Sequence, residues 1–97
     1  GLFNCLNTLR SVGIDAQIPM VLSVGAFGRE VANLGQPTTD SKRVCLNKVE
    51  PVVAAMGIPY YHLETAADLP KVAQAFATAR DNKCAVVINI GYFPSWA

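Results

Sequence analysis

The sequence predicts a small three-layer α/β domain in which helices flank both faces of a parallel sheet. Predicted helices and strands alternate along the chain in the order α-β-α-β-α-β. Segments 20–24 and 84–90 are almost entirely apolar and lack polar alternation, which is typical of parallel strands covered on both faces. The segments between the strands are long enough for helical crossovers, so parallel pairing is expected.

The composition is that of a small domain with few charges. Of its 97 residues, 52% are hydrophobic and 15% are charged, with a formal net charge of +1. So few charges imply that a partner or further chain covers part of the apolar surface. A net charge near zero gives no steering field for nucleic acid or an anionic membrane, and no apolar run is long enough to span a bilayer. We therefore expect a protein partner, with neither nucleic acid nor a membrane involved.

The first predicted helix has an apolar face and is expected to end at Gly13. The residues of that face are Leu2, Cys5, Leu6, Leu9 and Val12. In an α/β unit, a helix that leads into a strand usually follows another strand. We therefore expect an upstream strand–helix unit that residues 1–97 do not include.

A long polar connection, residues 25–41, joins the first strand to the next helical region. Connections of this length without secondary structure are more often functional or disordered than idle. Ser41 or Asp40 is expected to cap the following helix. Pro51 predicts a kink, or two short helices that meet near Val49. The expected apolar face comprises Cys45, Val49, Val52 and Met56, with Leu46 and Val53 beside it.

The second half of the chain continues the alternation. Gly57 is expected to end the helix before a short strand at 60–63, and a further helix is expected to begin at Thr65 or Asp68. The apolar face of that helix should comprise Leu69, Val72, Ala73, Phe76 and Ala79. The β-branched residues of 84–90 predict a central strand, and an aromatic tail, 91–97, follows it.

The cysteines and the single histidine favour structural roles. Cys5, Cys45 and Cys84 are widely spaced in apolar settings, which predicts buried, reduced thiols in a cytoplasmic protein. A disulfide with one free thiol is the alternative. Without a Cys-x-x-Cys motif, a metal site is not supported. His62 lies within a predicted strand and is interpreted as structural, with a proton shuttle as the alternative.

The turn after the first strand is the first candidate ligand site. Gly25 and Gly28 can expose backbone amides to an anion, and Arg29 adds a positive charge. Glu30 is a candidate acid or base. Ligands of parallel α/β sheets bind beyond the carboxyl ends of the strands, which is where this turn lies. The alternative is a glycine-rich turn with solvated charges; the spacing matches neither a dinucleotide fingerprint nor a Walker motif.

Two further cations lie at the start of the second helical region. Lys42 and Arg43 oppose the helix dipole there, which is mildly unfavourable. They are interpreted either as solvated side chains or as residues that face an anionic ligand or partner.

The segments GLFNCLNTLRSVG, IPMVLSVGAFGRE, VEPVVAAMGIPYYHLE and CAVVINIG resemble the pyrimidine-binding domain of thiamine-diphosphate-dependent decarboxylases. The similarity is greatest to the phosphonopyruvate and sulfopyruvate decarboxylase group. The matches to its Gly-Leu-Gly-Asn segment are Gly1, Leu2, Asn4 and Asn7. The matches to its Ile-Pro-strand-Gly-x-x-Gly-Glu segment are Pro19, Gly25, Gly28 and Glu30. Residues 1–97 would then form an incomplete pyrimidine-binding domain.

The resemblance implies a function and a division of the site. The chain would be part of a decarboxylase that acts on a pyruvate bearing a phosphonate or sulfonate, with thiamine diphosphate and magnesium as cofactors. The residues implied to lie on the aminopyrimidine side of the cofactor are Gly1, Leu2, Asn4 and Asn7. Those implied to lie near the substrate or a subunit contact are Gly25, Gly28, Arg29 and Glu30, with Arg29 a partner for the substrate's anionic group.

Two departures from the family pattern limit what this chain supplies. Phe3 stands where the family has its second glycine. The family's catalytic glutamate and its diphosphate-binding motif have no counterpart in residues 1–97, so no catalytic residue is assigned here. We expect a companion chain or domain, in a homo- or hetero-oligomer, to complete the site. The alternatives are a non-catalytic α/β assembly module and a small anion-binding domain.

Overall fold

A computed structural model describes residues 2–25 and 29–91 of the chain. Its three strands are β1 (Met20–Gly25), β2 (Tyr60–Leu63) and β3 (Ala85–Ile90). They form one parallel sheet in the spatial order β1-β3-β2. We call the first helical segment α1; it joins a 3-10 turn (Phe3–Cys5), an α-helical turn (Leu6–Thr8) and a π-helix (Leu9–Asp15). The other helices are α2 (Val44–Asn47), α3 (Val49–Ala55) and α4 (Pro70–Asn82). The predicted α/β class and the alternating order are confirmed.

Strand β3 lies at the centre of the sheet, as predicted. Its residues Val86 and Val87 are fully buried. In the register, Met20 of β1 pairs with Ala85, and Tyr60 of β2 pairs with Val87. Strand β1 is at the edge, and its side chains are half-buried or exposed. Met20, Leu22 and Val24 pack against the core on one face of the sheet, and Val21 packs against the core on the other. The expectation that segment 20–24 is covered on both faces is therefore confirmed only in part.

Two hydrophobic clusters form the core, one on each face of the sheet. The cluster beneath α1 and α3 contains Leu2, Leu9, Val49, Val53, Ile58, Ala85 and Val87. The cluster beneath α4 contains Ala75, Ala79, Val86 and Ile88. Consecutive residues of β3 alternate between the two clusters, as the twofold periodicity of a strand requires. The result is three layers, with the sheet in the middle.

Helix α1 continues past Gly13, so the predicted helix end is wrong. A Cβ atom at Gly13 would lie 2.6 Å from the Cβ of Ala85, the first residue of β3. The glycine therefore allows the π-helical turn to lie directly against the sheet, and helix termination is not its role. The backbone turns after Asp15, where Gln17 has a positive φ of 56°.

The second helical region is divided in two, as Pro51 predicts. Helices α2 and α3 meet at Lys48, and Pro51 occupies the first turn of α3, where no intrahelical donor is lost. Gly57 ends α3 as expected, with a φ of 70° and a Schellman-type bond from the Ile58 amide to the Val53 carbonyl.

The expected cap of this region is wrong, and the expected apolar face is correct in part, since Val49 is buried and Met56 packs against the core, whereas Cys45 is exposed. The N-cap residue of α2 is Arg43, with no side-chain cap. Ser41 lies two residues earlier, where its hydroxyl donates to Glu30 and accepts from the Arg43 amide. The buried residues of α2 and α3 are Leu46, Val49 and Val53. Cys45 is exposed, so the expectation that all three cysteines are buried fails there. Each of the three is free of a disulfide, and Cys5 and Cys84 are half-buried.

The apolar face predicted for α4 is only partly the one that meets the sheet, since Ala79 is buried but Leu69 and Phe76 are not. A capping box formed by Thr65 and Asp68 precedes it, and its buried residues are the small Ala75 and Ala79. Small side chains let the helix lie close to the sheet. Leu69 and Phe76 consequently point away and are 61% and 58% exposed. The helix ends at Asn82, with Lys83 in the left-handed conformation.

The long connection after β1 is more ordered than its composition predicts. It contains two 3-10 turns, Val31–Asn33 and Thr38–Asp40. The predicted aromatic tail from residue 92 onward lies outside the described residues. Within the described part of the chain, no helix has the length and apolar character needed to cross a membrane.

Candidate functional site at the carboxyl edge of the sheet

Residues that follow all three strands meet at the carboxyl edge of the sheet. Arg29 follows β1, Glu64 follows β2 directly, and Gly91 follows β3 directly. Arg29 Nη1 donates to Glu64 Oε2 at 2.6 Å and to the Gly91 carbonyl at 2.7 Å. This edge is the place where parallel α/β sheets bind ligands. Here it is closed by an ion pair between the buried Arg29 and the half-buried Glu64.

The guanidinium of Arg29 is fully engaged within the protein. Its Nε donates to Asn33 Oδ1, and its Nη2 donates to the carbonyls of Asn33 and Gln36, each at 2.9 Å. Together with the two Nη1 bonds, these account for all five guanidinium donors. The side chain is 3% exposed, so it is not the solvated charge of the alternative interpretation. A substrate anion would have to displace a protein acceptor, and the role of Arg29 in substrate binding stays a prediction.

Glu64 connects this arginine to β2 and to the loop. Its Oε2 also lies 2.6 Å from His62 Nε2, and its Oε1 accepts from the Gly35 amide at 2.8 Å. Burial acts to raise the pKa of Glu64, but the hydrogen bonds from Arg29, Gly35 and His62 outweigh it and hold that pKa below its usual value. The sequence analysis did not identify Glu64, although a carboxylate directly after a predicted strand could have indicated it. His62 is half-buried, and its interpretation as a structural residue stays a prediction.

Gly91 leaves no room for a side chain at this cluster. A Cβ atom there would lie 2.5 Å from His62 Cε1, 2.6 Å from Glu64 Oε2 and 2.7 Å from Arg29 Nη1. The glycine is therefore required for the three side chains to converge.

Glu30 fastens the far end of the loop. It accepts a short hydrogen bond from the Ser41 hydroxyl and a second from the Lys42 amide at 2.9 Å. The Ser41 bond, followed by backbone amide donors, lowers the pKa of Glu30 to about 2. A carboxylate with so low a pKa is a poor base at neutral pH. The structure thus gives Glu30 a loop-anchoring role.

An open depression of about 670 Å³ lies over this loop. Lys42 and Arg43, both exposed, contribute its positive charges. Its lining residues are Glu30, Ala32, Asn33, Gln36, Asp40, Lys42 and Arg43. One predicted substrate residue, Glu30, therefore lies in it, whereas Arg29 lies buried beneath the loop.

The residues predicted for the cofactor divide into buried and exposed positions. Leu2 is 8% exposed and belongs to the core, while Asn4 and Asn7 are exposed. Asn7 Oδ1 accepts from Arg10 Nε at 3.1 Å. Since the far end of α1 lies against the first residue of β3, the start of α1 extends toward the carboxyl edge. Gly1 and Gly28 lie outside the described residues, and Gly25 is exposed at the end of β1.

A buried polar pair also lies near this edge, on the α1/α3 face. Asn89 of β3 is 0% exposed, and its Nδ2 donates to the Tyr60 hydroxyl at 2.7 Å. Among the described residues, Asn89 Oδ1 has no hydrogen-bond partner. Burial raises the pKa of Tyr60. Sequence reasoning missed this pair, although Asn89 is the polar residue within an otherwise apolar strand.

The described side chains contain no group of three or more His, Cys, Asp or Glu residues arranged to hold a metal ion. Comparisons with protein-family models, with curated proteins and with solved structures find no match. The resemblance to a pyrimidine-binding domain therefore stays a prediction.

Proposed function

We propose that this chain is part of a pyrimidine-binding domain and forms the aminopyrimidine side of a thiamine diphosphate site that a companion chain or domain completes. The reaction would be decarboxylation of a pyruvate that bears a phosphonate or sulfonate. The observation that carries the proposal is the exposure of Asn4 and Asn7 at the start of α1, which extends toward the carboxyl edge of the sheet. Ligands of parallel α/β proteins bind at this edge.

The residues present fit one wall of such a site. The Asn4 carboxamide offers donors and an acceptor for an aminopyrimidine, and Asn7 offers its Nδ2 donors, since its Oδ1 accepts from Arg10. Leu2 offers only its backbone because its side chain lies in the core. Bound thiamine diphosphate supplies the electron sink for loss of carbon dioxide. The diphosphate and its magnesium ion would be held by the companion chain or domain.

The exposed apolar side chains support an oligomer. Leu69 and Phe76 expose most of their surface on α4, and Phe3 is also exposed at the start of α1. Exposed large apolar groups on a chain with few charges favour assembly with another protein surface. We place the assembly in the cytoplasm, because its three cysteines form no disulfide.

A non-catalytic assembly module is the second candidate. It is favoured by the ion pair between Arg29 and Glu64, which closes the carboxyl edge with internal contacts. In that case the charged loop would serve only to order the edge of the sheet, and no cofactor would bind.

Calorimetric titration of thiamine diphosphate into the natural assembly tests the proposal. Magnesium-dependent heat is expected, with at least about tenfold weaker binding in an N4A/N7A variant. The matched control is Asn82→Ala, an exposed asparagine at the end of α4. Absence of magnesium-dependent heat in the folded wild-type assembly would contradict the proposal and favour the assembly module.

A further inference from the structure

We infer that the depression over residues 30–43 binds the phosphonate or sulfonate end of a small substrate through Lys42 and Arg43. The substrate class in this inference rests on the proposed function. The inference moves the anion contact away from Arg29, where the family resemblance places it. The first reason is the difference between Arg29, whose donors are used within the protein, and Lys42 and Arg43.

Lys42 and Arg43 are exposed cations that line a depression. Within the described residues, no ion pair or side-chain hydrogen bond engages either of them. By contrast, Arg29 uses all five donors on protein acceptors, and withdrawing it would leave Glu64 without its charge partner. Binding an anion through Lys42 and Arg43 breaks no such internal ion pair. An arginine beside a lysine also combines a planar fork with a mobile point charge, which suits a tetrahedral oxyanion.

The floor of the depression is held in place before any ligand arrives. Arg29 donates hydrogen bonds to Asn33 and Gln36 and so holds these residues at the carboxyl edge of the sheet. Asn33 Nδ2 donates to the Pro37 carbonyl at 3.0 Å, and Glu30 holds Ser41 and the Lys42 amide. A loop fixed at both ends loses little conformational entropy when a ligand binds.

The charges of the lining limit how strongly an anion binds. Lys42 and Arg43 are balanced by Glu30 and Asp40, so the depression has no net positive charge. Both oxygens of Glu30 already accept protein donors, which directs that carboxylate toward Ser41 and the Lys42 amide. A phosphonate is then held by direct contact with the two cations, without long-range attraction. A dissociation constant on the order of 1 mM is expected for a small probe.

Titration of phosphonoacetate and methylphosphonate into the natural assembly, at constant ionic strength and without cofactor, tests this inference. The K42A/R43A variant should bind at least about tenfold more weakly than wild type. The control is K48A/R80A, which removes one lysine and one arginine outside the depression and should leave binding unchanged. Circular dichroism establishes that each variant is folded.

Titration of thiamine diphosphate and magnesium into the same K42A/R43A variant separates this inference from the proposed function. Retained cofactor binding with lost phosphonate binding supports both. Phosphonate binding that depends on Lys42 and Arg43, in an assembly that takes no cofactor, supports the anion site while the proposed function fails. Equal phosphonate affinity in wild type and K42A/R43A overturns the inference, as does the absence of phosphonate binding to folded wild type.

Discussion

Arg29 Nη1 and Glu64 Oε2, 2.6 Å apart, join the connection after β1 to the end of β2 across the carboxyl edge of the sheet. The same Arg29 nitrogen reaches the Gly91 carbonyl after β3, so one guanidinium contacts the continuation of every strand. A loop that would otherwise have few apolar contacts is thereby fixed to the core. Arg29 also bonds Asn33 and Gln36, which line the charged depression above it.

Replacing Glu64 with glutamine should destabilise the protein by about 2–4 kcal/mol, because it leaves a buried guanidinium without a counter-charge. Urea denaturation of wild type and E64Q at neutral pH measures the change. The control is Asp81→Asn, which breaks the exposed pair with Arg80 and should cost about 0.5 kcal/mol or less. An equal, small effect in both variants would show that the Arg29–Glu64 pair contributes little.

Replacing Gly91 with alanine should destabilise the protein by about 2–3 kcal/mol, because the added methyl group would overlap His62, Glu64 and Arg29. Thermal denaturation monitored by circular dichroism measures the change. Gly25→Ala is the matched control, since a Cβ at that strand end meets no atom within 4 Å. If G91A and G25A melted alike, the convergence of side chains on Gly91 would not be tight.

The ionised form of Asp68 should make stability depend on pH in the acid range. The backbone amides of Glu64 and Thr65 donate to its carboxylate, at 2.8 and 3.1 Å, and lower its pKa from 3.8 to about 2. A lowered folded-state pKa contributes stability above pH 3.8 that is lost as pH falls toward 2.

Urea denaturation at pH 6, 4 and 2.5 measures this dependence for wild type and Asp68→Asn. The variant, which cannot ionise, should be less stable than wild type at pH 6, and the difference should shrink as pH falls. Asp81→Asn is the comparison: Arg80 also lowers the pKa of Asp81, but this pair is exposed, so the variant should show a much smaller pH dependence than D68N. A difference between wild type and D68N that stays constant with pH would contradict the assigned role.

Strand and helix order could be predicted because each element carries a strong local signal. The apolar run 84–90 can be satisfied only at the centre of a sheet, and Gly57 has a backbone conformation that other residues rarely adopt. Pro51 likewise restricts where a helix can begin. These are properties of a few neighbouring residues, so they are readable without the fold.

Helix orientation could not be predicted, because it depends on how closely each helix approaches the sheet. For α4, the predicted apolar face includes the large Leu69 and Phe76, but these are exposed, whereas the small Ala79 of that face and Ala75 beside it allow closer packing and are buried. The role of Gly13 could not be predicted either, because it depends on the contact with Ala85, a residue that is distant in sequence.

The position of Arg29 at the carboxyl edge of the sheet could be predicted from the sequence, but its contacts could not. The edge beyond β1 could be located from the strand pattern and the glycine-rich turn. The partner of Arg29 could not, because Glu64 lies 35 residues away and only the parallel pairing of β2 with β3 brings it near. Whether a loop cation is solvated or buried depends on such long-range pairing.

The buried pair of Tyr60 and Asn89 should show energetic coupling. Removing the hydroxyl in Tyr60→Phe takes away the 2.7 Å partner of Asn89 Nδ2 and leaves a fully buried carboxamide with neither polar atom paired, which should cost about 1–3 kcal/mol. Asn89→Leu removes that carboxamide, including the unpaired Oδ1, with little change in side-chain size. The Y60F/N89L double variant should therefore be more stable than the sum of the single changes predicts, by about 1 kcal/mol. Urea denaturation of all four proteins gives this coupling energy. Strictly additive changes would mean that the two side chains do not share a hydrogen bond in the folded protein.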